Sequence, residues 1–124
     1  FTVSFEAKLT QIAKMRREIP LGAVTYGRLP LMLTRNCPIK NEVGCARCSG
    51  SITDRTGRKF QIVCAKEYVE ILNPNTLLIT DKEMCGADFS LIMLNKETPQ
   101  QVRDALTGKR PDGDVTHGLY YRGI

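Results

Sequence analysis

Ala23-Val24-Thr25-Tyr26-Gly27-Arg28-Leu29-Pro30-Leu31-Met32-Leu33-Thr34 is a nearly continuous apolar run, broken only by Gly27, Arg28 and Pro30. Its density of apolar and β-branched residues predicts an extended strand, and the lack of polar alternation predicts burial on both faces. Just upstream, Thr2 to Glu6 alternates and predicts a short strand. Between them, Ala7 to Arg17 reads as a helix with Leu9, Ile12, Ala13 and Arg16 on one face, ended by Pro20 and Gly22. A strand, a helix and a second strand form the pattern of a βαβ unit in a parallel sheet. An arginine inside such a strand is costly unless it is paired or faces a ligand. Arg28 is therefore expected either to meet an anion or to be tied to Glu6 or Glu18.

Downstream lies a segment dense in thiols. Cys37, Cys45, Cys48 and Cys64 fall within 28 residues, and the central pair is a Cys-x-x-Cys. Pro38 and Gly44 punctuate a loop expected from Asn36 to Gly50. Ser51 to Asp54 and Lys59 to Cys64 then read as a β-hairpin turning at Arg55-Thr56-Gly57-Arg58, with Asp54 and Arg55 as a local ion pair or a substrate contact. Short strands follow at Tyr68 to Leu72, Thr76 to Thr80 and Ala87 to Asn95. Thr98-Pro99-Gln100-Gln101 opens a helix with Thr98 as N-cap and Pro99 at the first position, running to about Leu106 before Gly108. The tail carries an aromatic pair, Tyr120 and Tyr121. The expected architecture is mixed α/β: a strand–helix–strand over 1–35, a Cys-rich hairpin over 36–66, and short strands, a helix and a tail over 67–124.

The 124 residues fit one domain or a piece of one. With 42% hydrophobic and 25% charged residues, the chain reads as soluble and globular rather than disordered. No apolar run approaches the roughly 20 residues that span a bilayer, so no membrane partner is expected. The start, Phe1-Thr2-Val3-Ser4-Phe5, lacks signal-peptide character and an initiating Met, which points to a segment of a longer cytoplasmic protein. An odd number of cysteines, five, argues against a fully paired secreted framework.

In a reducing compartment the four clustered thiols point first to a shared zinc ion or an iron–sulfur cluster. A redox dithiol asks for a helix N-terminus after Cys45, which the sequence does not offer. A disulfide and inert buried thiols remain the other readings, and Cys85 is expected to be unliganded. Residues 28–66 hold eight basic side chains and two acids, a net charge of +6, while the rest of the chain sums to −1. Such a field attracts polyanions, with Arg28, Arg47, Arg55 and Arg58 as candidate contacts for nucleic acid, and it also offsets thiolate charge. A single histidine, His117, excludes multi-histidine zinc catalysis within the chain and is expected on the surface. Neither His-Glu-x-x-His nor Gly-x-Ser-x-Gly is present.

Gly27-Arg28-Leu29-Pro30-Leu31-Met32-Leu33-Thr34, followed by Cys37-Pro38, resembles the U32 peptidases, a collagenase-like family of unassigned catalytic type. The similarity continues through Cys45-Ala46-Arg47-Cys48, Asp54-Arg55 with Gly57, Phe60 to Cys64, and Ile71-Leu72-Asn73. It resumes at Thr116-His117-Gly118-Leu119-Tyr120-Tyr121-Arg122-Gly123-Ile124. The resemblance implies that the strand–helix–strand ends a TIM-like barrel and that the cysteine segment sits at its catalytic rim. It also implies a parent classed with proteases or collagenases, with relatives that hydroxylate RNA or a quinone precursor using a four-cysteine iron–sulfur cluster. Cys37, Cys45, Cys48 and Cys64 would then be metal or cluster ligands. The principal partner would be the rest of the U32-like polypeptide, with RNA as a further one. Apart from that parent the segment is expected to be inactive and to self-associate through exposed apolar edges. A non-catalytic, zinc-stabilised basic module that binds RNA or a protein is the alternative.

Overall fold

The computed structural model describes residues 1–15, 18–80 and 86–122. It is a mixed α/β structure with two four-stranded sheets, and the chain separates into two compact units, Phe1–Gly27 with Asn75–Ile124, and Arg28–Pro74.

The apolar run that suggested one long strand is two strands, β1 (Gly22–Gly27) and β2 (Pro30–Thr34), in different sheets. The break has local causes. Gly27 adopts φ +124°, a conformation that L side chains rarely take, and Pro30 cannot donate a ladder hydrogen bond and fits only at a strand start.

In the first unit every residue of β1 is buried, as the unbroken apolar pattern requires. Its parallel partner is not residues 2–6 but β7 (Phe89–Ile92), with Gly22 opposite Phe89 and Val24 opposite Leu91. The other neighbour is β6 (Thr76–Leu78), antiparallel to β1 and parallel to β8 (Val115–Thr116). The sheet order is β7-β1-β6-β8. Of the strand expected at 2–6, one parallel bridge remains, Thr2 to Gly22. The Ser4 hydroxyl accepts from the Glu6 N–H at 3.2 Å and the Ser4 carbonyl from the Ala7 N–H at 3.0 Å, so a turn outcompetes the ladder.

α1 (Leu9–Lys14) buries Leu9 and Ile12. It is shorter than the expected Ala7 to Arg17, whose last two positions lie outside the described residues. α3 (Pro99–Leu106) begins as its sequence predicts, with the Thr98 hydroxyl accepting from the Gln101 N–H and the Gln101 side chain accepting from the Thr98 N–H. Near the chain end Tyr120 is 1% exposed. Its hydroxyl donates to the Val24 carbonyl at 2.7 Å, and its own carbonyl accepts from the Leu9 N–H at 2.9 Å. The segment read as a tail thereby joins the core of this unit.

The second unit is an antiparallel sheet in the order β2-β5-β4-β3, with β3 at Ser51–Thr53, β4 at Lys59–Cys64 and β5 at Val69–Leu72. The hairpin β3–β4 pairs Ile52 with Phe60, within the expected bounds. Ile39, Ile62 and Val69 form its buried core, with Cys37, Ile52 and Ile71 packed against them. Ile39 comes from α2 (Pro38–Val43), a helix in the stretch expected to be loop. Pro38 at its first turn and Gly44 just past its end are the signal that marks it. The unit is clasped at its ends: Arg28 Nη1 donates to the Pro74 carbonyl at 2.7 Å, and the Asn73 N–H to the Leu29 carbonyl at 2.8 Å.

Candidate functional site

The four clustered cysteines all lie in the second unit, and all are free thiols. Cys37 directly precedes α2, is half-buried, and packs on the Ile39–Ile62–Val69 core. Cys64 ends β4, opposite Val69. Side chains alternate along a strand, so Cys64 shares the face of Ile62, the face that α2 and Cys37 cover. Cys37 and Cys64 are thus brought to one side of the sheet, although Cys64 is exposed.

Cys45 opens a single 3-10 turn, Cys45–Arg47, rather than the loop expected there. Cys48 closes that turn, its N–H donating to the Cys45 carbonyl at 3.2 Å. Its Sγ accepts from the Gly50 N–H at 3.3 Å. The Gly50 carbonyl also accepts from the Ile62 N–H at 2.9 Å, which ties the turn to β4. Both thiols of the pair are exposed. Among the described residues no three or more His, Cys, Asp or Glu side chains form a group that could hold a metal ion. Cys85 lies outside the described residues.

The candidate anion contacts divide by location. Arg55 and Arg58 are exposed at the hairpin tip, next to exposed Lys59. Arg47 is exposed on the 3-10 turn, its Nε donating to the Val43 carbonyl at 3.3 Å. Arg28 lies between β1 and β2 rather than inside a strand, half-buried and bonded to Pro74.

Asp54 organises the hairpin turn, but through hydrogen bonds rather than through the ion pair with Arg55. Its Oδ1 accepts from the Thr56 hydroxyl at 2.6 Å, the Thr56 N–H at 2.8 Å and the Arg58 N–H at 3.0 Å. The Thr56 hydroxyl is the chief reason its carboxyl titrates below the ordinary 3.8.

In the first unit, His117 is exposed as expected, with Nδ1 3.2 Å from the Leu78 carbonyl and its ring edge-on to Tyr121 at 5.3 Å. A cleft of about 620 Å³ opens beside α3, lined by Thr25, Tyr26, Thr80, Ser90, Thr107 and their apolar neighbours. The described residues lining it include no carboxylate, imidazole, amine or thiol, so they offer hydroxyl contacts but no acid–base pair at neutral pH.

No described helix is long and apolar enough to cross a membrane. Comparison of the chain with protein-family models, curated proteins and solved structures found no match.

Proposed function

We propose that residues 28–74 are the metal- or iron–sulfur-binding thiol segment of a cytoplasmic U32 peptidase-like protein. The observation that carries this reading is the confinement of four free thiols to one small unit, with the Cys45–Cys48 turn anchored through Gly50. Thiolates are suitable donors for zinc and for an iron–sulfur cluster. The described residues do not gather three of them, so a complete site requires the 44–50 turn to rearrange or donors from outside the described residues. Bound zinc would staple the unit, and a cluster would supply electron transfer. The parent polypeptide would carry the peptidase or the RNA- or cofactor-hydroxylating activity.

Metal content decides the matter. Protein purified anaerobically is expected to contain about one zinc per chain, or iron with absorption near 400 nm, and Cys45→Ser and Cys48→Ser should each reduce the stoichiometry. Protein that retains neither zinc nor iron, and takes up neither on reconstitution, refutes the proposal.

A second reading, a zinc-stabilised basic module that binds RNA or a protein partner, is supported by the exposed Arg47, Arg55 and Arg58. Binding of single-stranded RNA that weakens steeply with salt and falls on Arg55→Ala and Arg58→Ala would sustain it. Absence of RNA binding at low salt would leave only the protein partner.

A further inference from the structure

Cys45 and Cys48 stand at the two ends of one 3-10 turn. Cys45 opens it, Cys48 caps it, and the Cys48 N–H donates to the Cys45 carbonyl at 3.2 Å. A 3-10 helix advances about 2.0 Å per residue and returns to the same face every three residues. The two Cα atoms are therefore set about 6 Å apart, with their side chains eclipsed. A disulfide needs Cα atoms roughly 4.4–6.8 Å apart and Cβ atoms on the same side, so this turn already holds the backbone in a closable form. Both thiols are exposed and free. Pairings with the other two clustered cysteines are less well set. α2 runs from its N-cap, Cys37, to its C-cap, Gly44, and at about 1.5 Å per residue its two ends are about 10 Å apart, against a limit of roughly 7 Å for a disulfide. On the other side, the ladder that sets Ser51 opposite Gln61 stops at Gly50, whose φ of +68° breaks the extended run that would bring Cys48 opposite Cys64.

We propose that Cys45 and Cys48 form a thiol–disulfide exchange site, which low-molecular-weight disulfides close to an intramolecular Cys45–Cys48 bond. The step balances. One cysteine of the pair, as thiolate, attacks a sulfur of the small disulfide RSSR, which forms a mixed disulfide on the protein and releases RS⁻. The other, as thiolate, attacks the protein sulfur of that mixed disulfide, which forms the Cys45–Cys48 bond and releases the second RS⁻. The protein pair gives up two electrons and two protons, and one RSSR becomes two RSH. The second attack is intramolecular, so the thiol held by the turn reaches the mixed disulfide ahead of a second small molecule. The turn is too short to supply a helix dipole, and proximity is what favours closure. Closure asks the Cys48 Sγ to leave the Gly50 N–H, a contact of 3.3 Å, and keeps the hydrogen bond from the Ile62 N–H to the Gly50 carbonyl that ties the turn to β4. The exchange needs no bound metal. Because the thiolate is the metal ligand, the disulfide withdraws both sulfurs from any metal site.

The test is disulfide mapping of the full chain. Reduced protein, kept with a chelator, is equilibrated with oxidised and reduced glutathione at set ratios, quenched with N-ethylmaleimide, cleaved with trypsin and read by mass spectrometry. Cleavage after Arg47 leaves Cys45 and Cys48 on separate peptides that only a disulfide joins. Under oxidising ratios the two peptides are expected to appear joined, with alkylation of Cys45 and Cys48 lost together and neither bonded to Cys37 or Cys64. Excess reduced glutathione should restore both thiols. Cys45→Ser should stop at a glutathione adduct on Cys48, and Cys48→Ser at an adduct on Cys45. Mapping of the unaltered chain gives the answer even if a variant misfolds. Glutathione adducts that persist on Cys45 and Cys48 with no bond between them overturn the proposal. So does a disulfide joining either one to a different cysteine, or a pair that stays reduced under excess oxidised glutathione. Metal content is measured separately, so failure of the metal-binding reading and failure of this one are told apart.

Discussion

Gly27→Ala is the sharpest test of why the long apolar run divides. Two costs add at this position. The backbone holds φ +124°, which in an L residue costs about 1–3 kcal/mol. An added Cβ would also overlap the Met93 carbonyl oxygen and lie 2.8 Å from the Met93 Cβ. Met93 has little freedom to retreat, because its N–H, just past the end of β7, donates to the Tyr26 carbonyl at 2.9 Å. Forcing such overlap adds about 1–3 kcal/mol. The sum is roughly 2–6 kcal/mol, and at about 4–8 °C per kcal/mol for a unit of this size the melting temperature should fall by at least about 8 °C. Gly108→Ala is the control. It lies in the same unit at φ +73° with nothing within 4 Å of the added atom, so only the backbone cost applies, about 1–2 kcal/mol. Urea denaturation followed by circular dichroism gives both values. If Gly27→Ala costs no more than Gly108→Ala, the close approach of Met93 does not fix the break between β1 and β2.

Tyr120→Phe keeps the ring and removes the hydroxyl bonded to Val24, and should cost about 1–2 kcal/mol at neutral pH, against about 3–5 for Tyr120→Ala. An unchanged stability in Tyr120→Phe would refute a role for the hydrogen bond. Burial raises the Tyr120 phenol above its ordinary 10.0. Its contribution is therefore complete below about pH 10 and lost as pH rises through the folded value, and Tyr120→Phe should flatten that alkaline limb. The Asp54 carboxyl is held below 3.8, so its contribution is present above that value and lost as pH falls through the folded one. Carboxyl titration by NMR should place Asp54 below 3.8, and Thr56→Val should move it upward. A midpoint at the ordinary value, unmoved by Thr56→Val, would discount the turn's hydrogen bonds.

Signals confined to a few residues were readable in the chain alone. Thr98, Pro99 and Gln101 set the start of α3 because capping is chemistry between residues three apart. The β3–β4 hairpin and the basic bias of residues 28–66 are likewise present in the order of residues. α2 carried its marks too, Pro38 and Gly44, but the same two residue types also punctuate loops, and the stretch read as one. What depended on contacts between distant residues was not readable. Composition gives β1 its buried character without naming β7 as its parallel neighbour, because the pairing is chosen among many strands by packing. For the same reason only the tertiary structure placed Tyr120 against Val24 and Cys37 on the face that Cys64 shares. The sequence set the number and spacing of the thiols. How close they stand is decided by long-range pairing of β4 with β5 and by the packing of α2, which act over separations that no local pattern encodes.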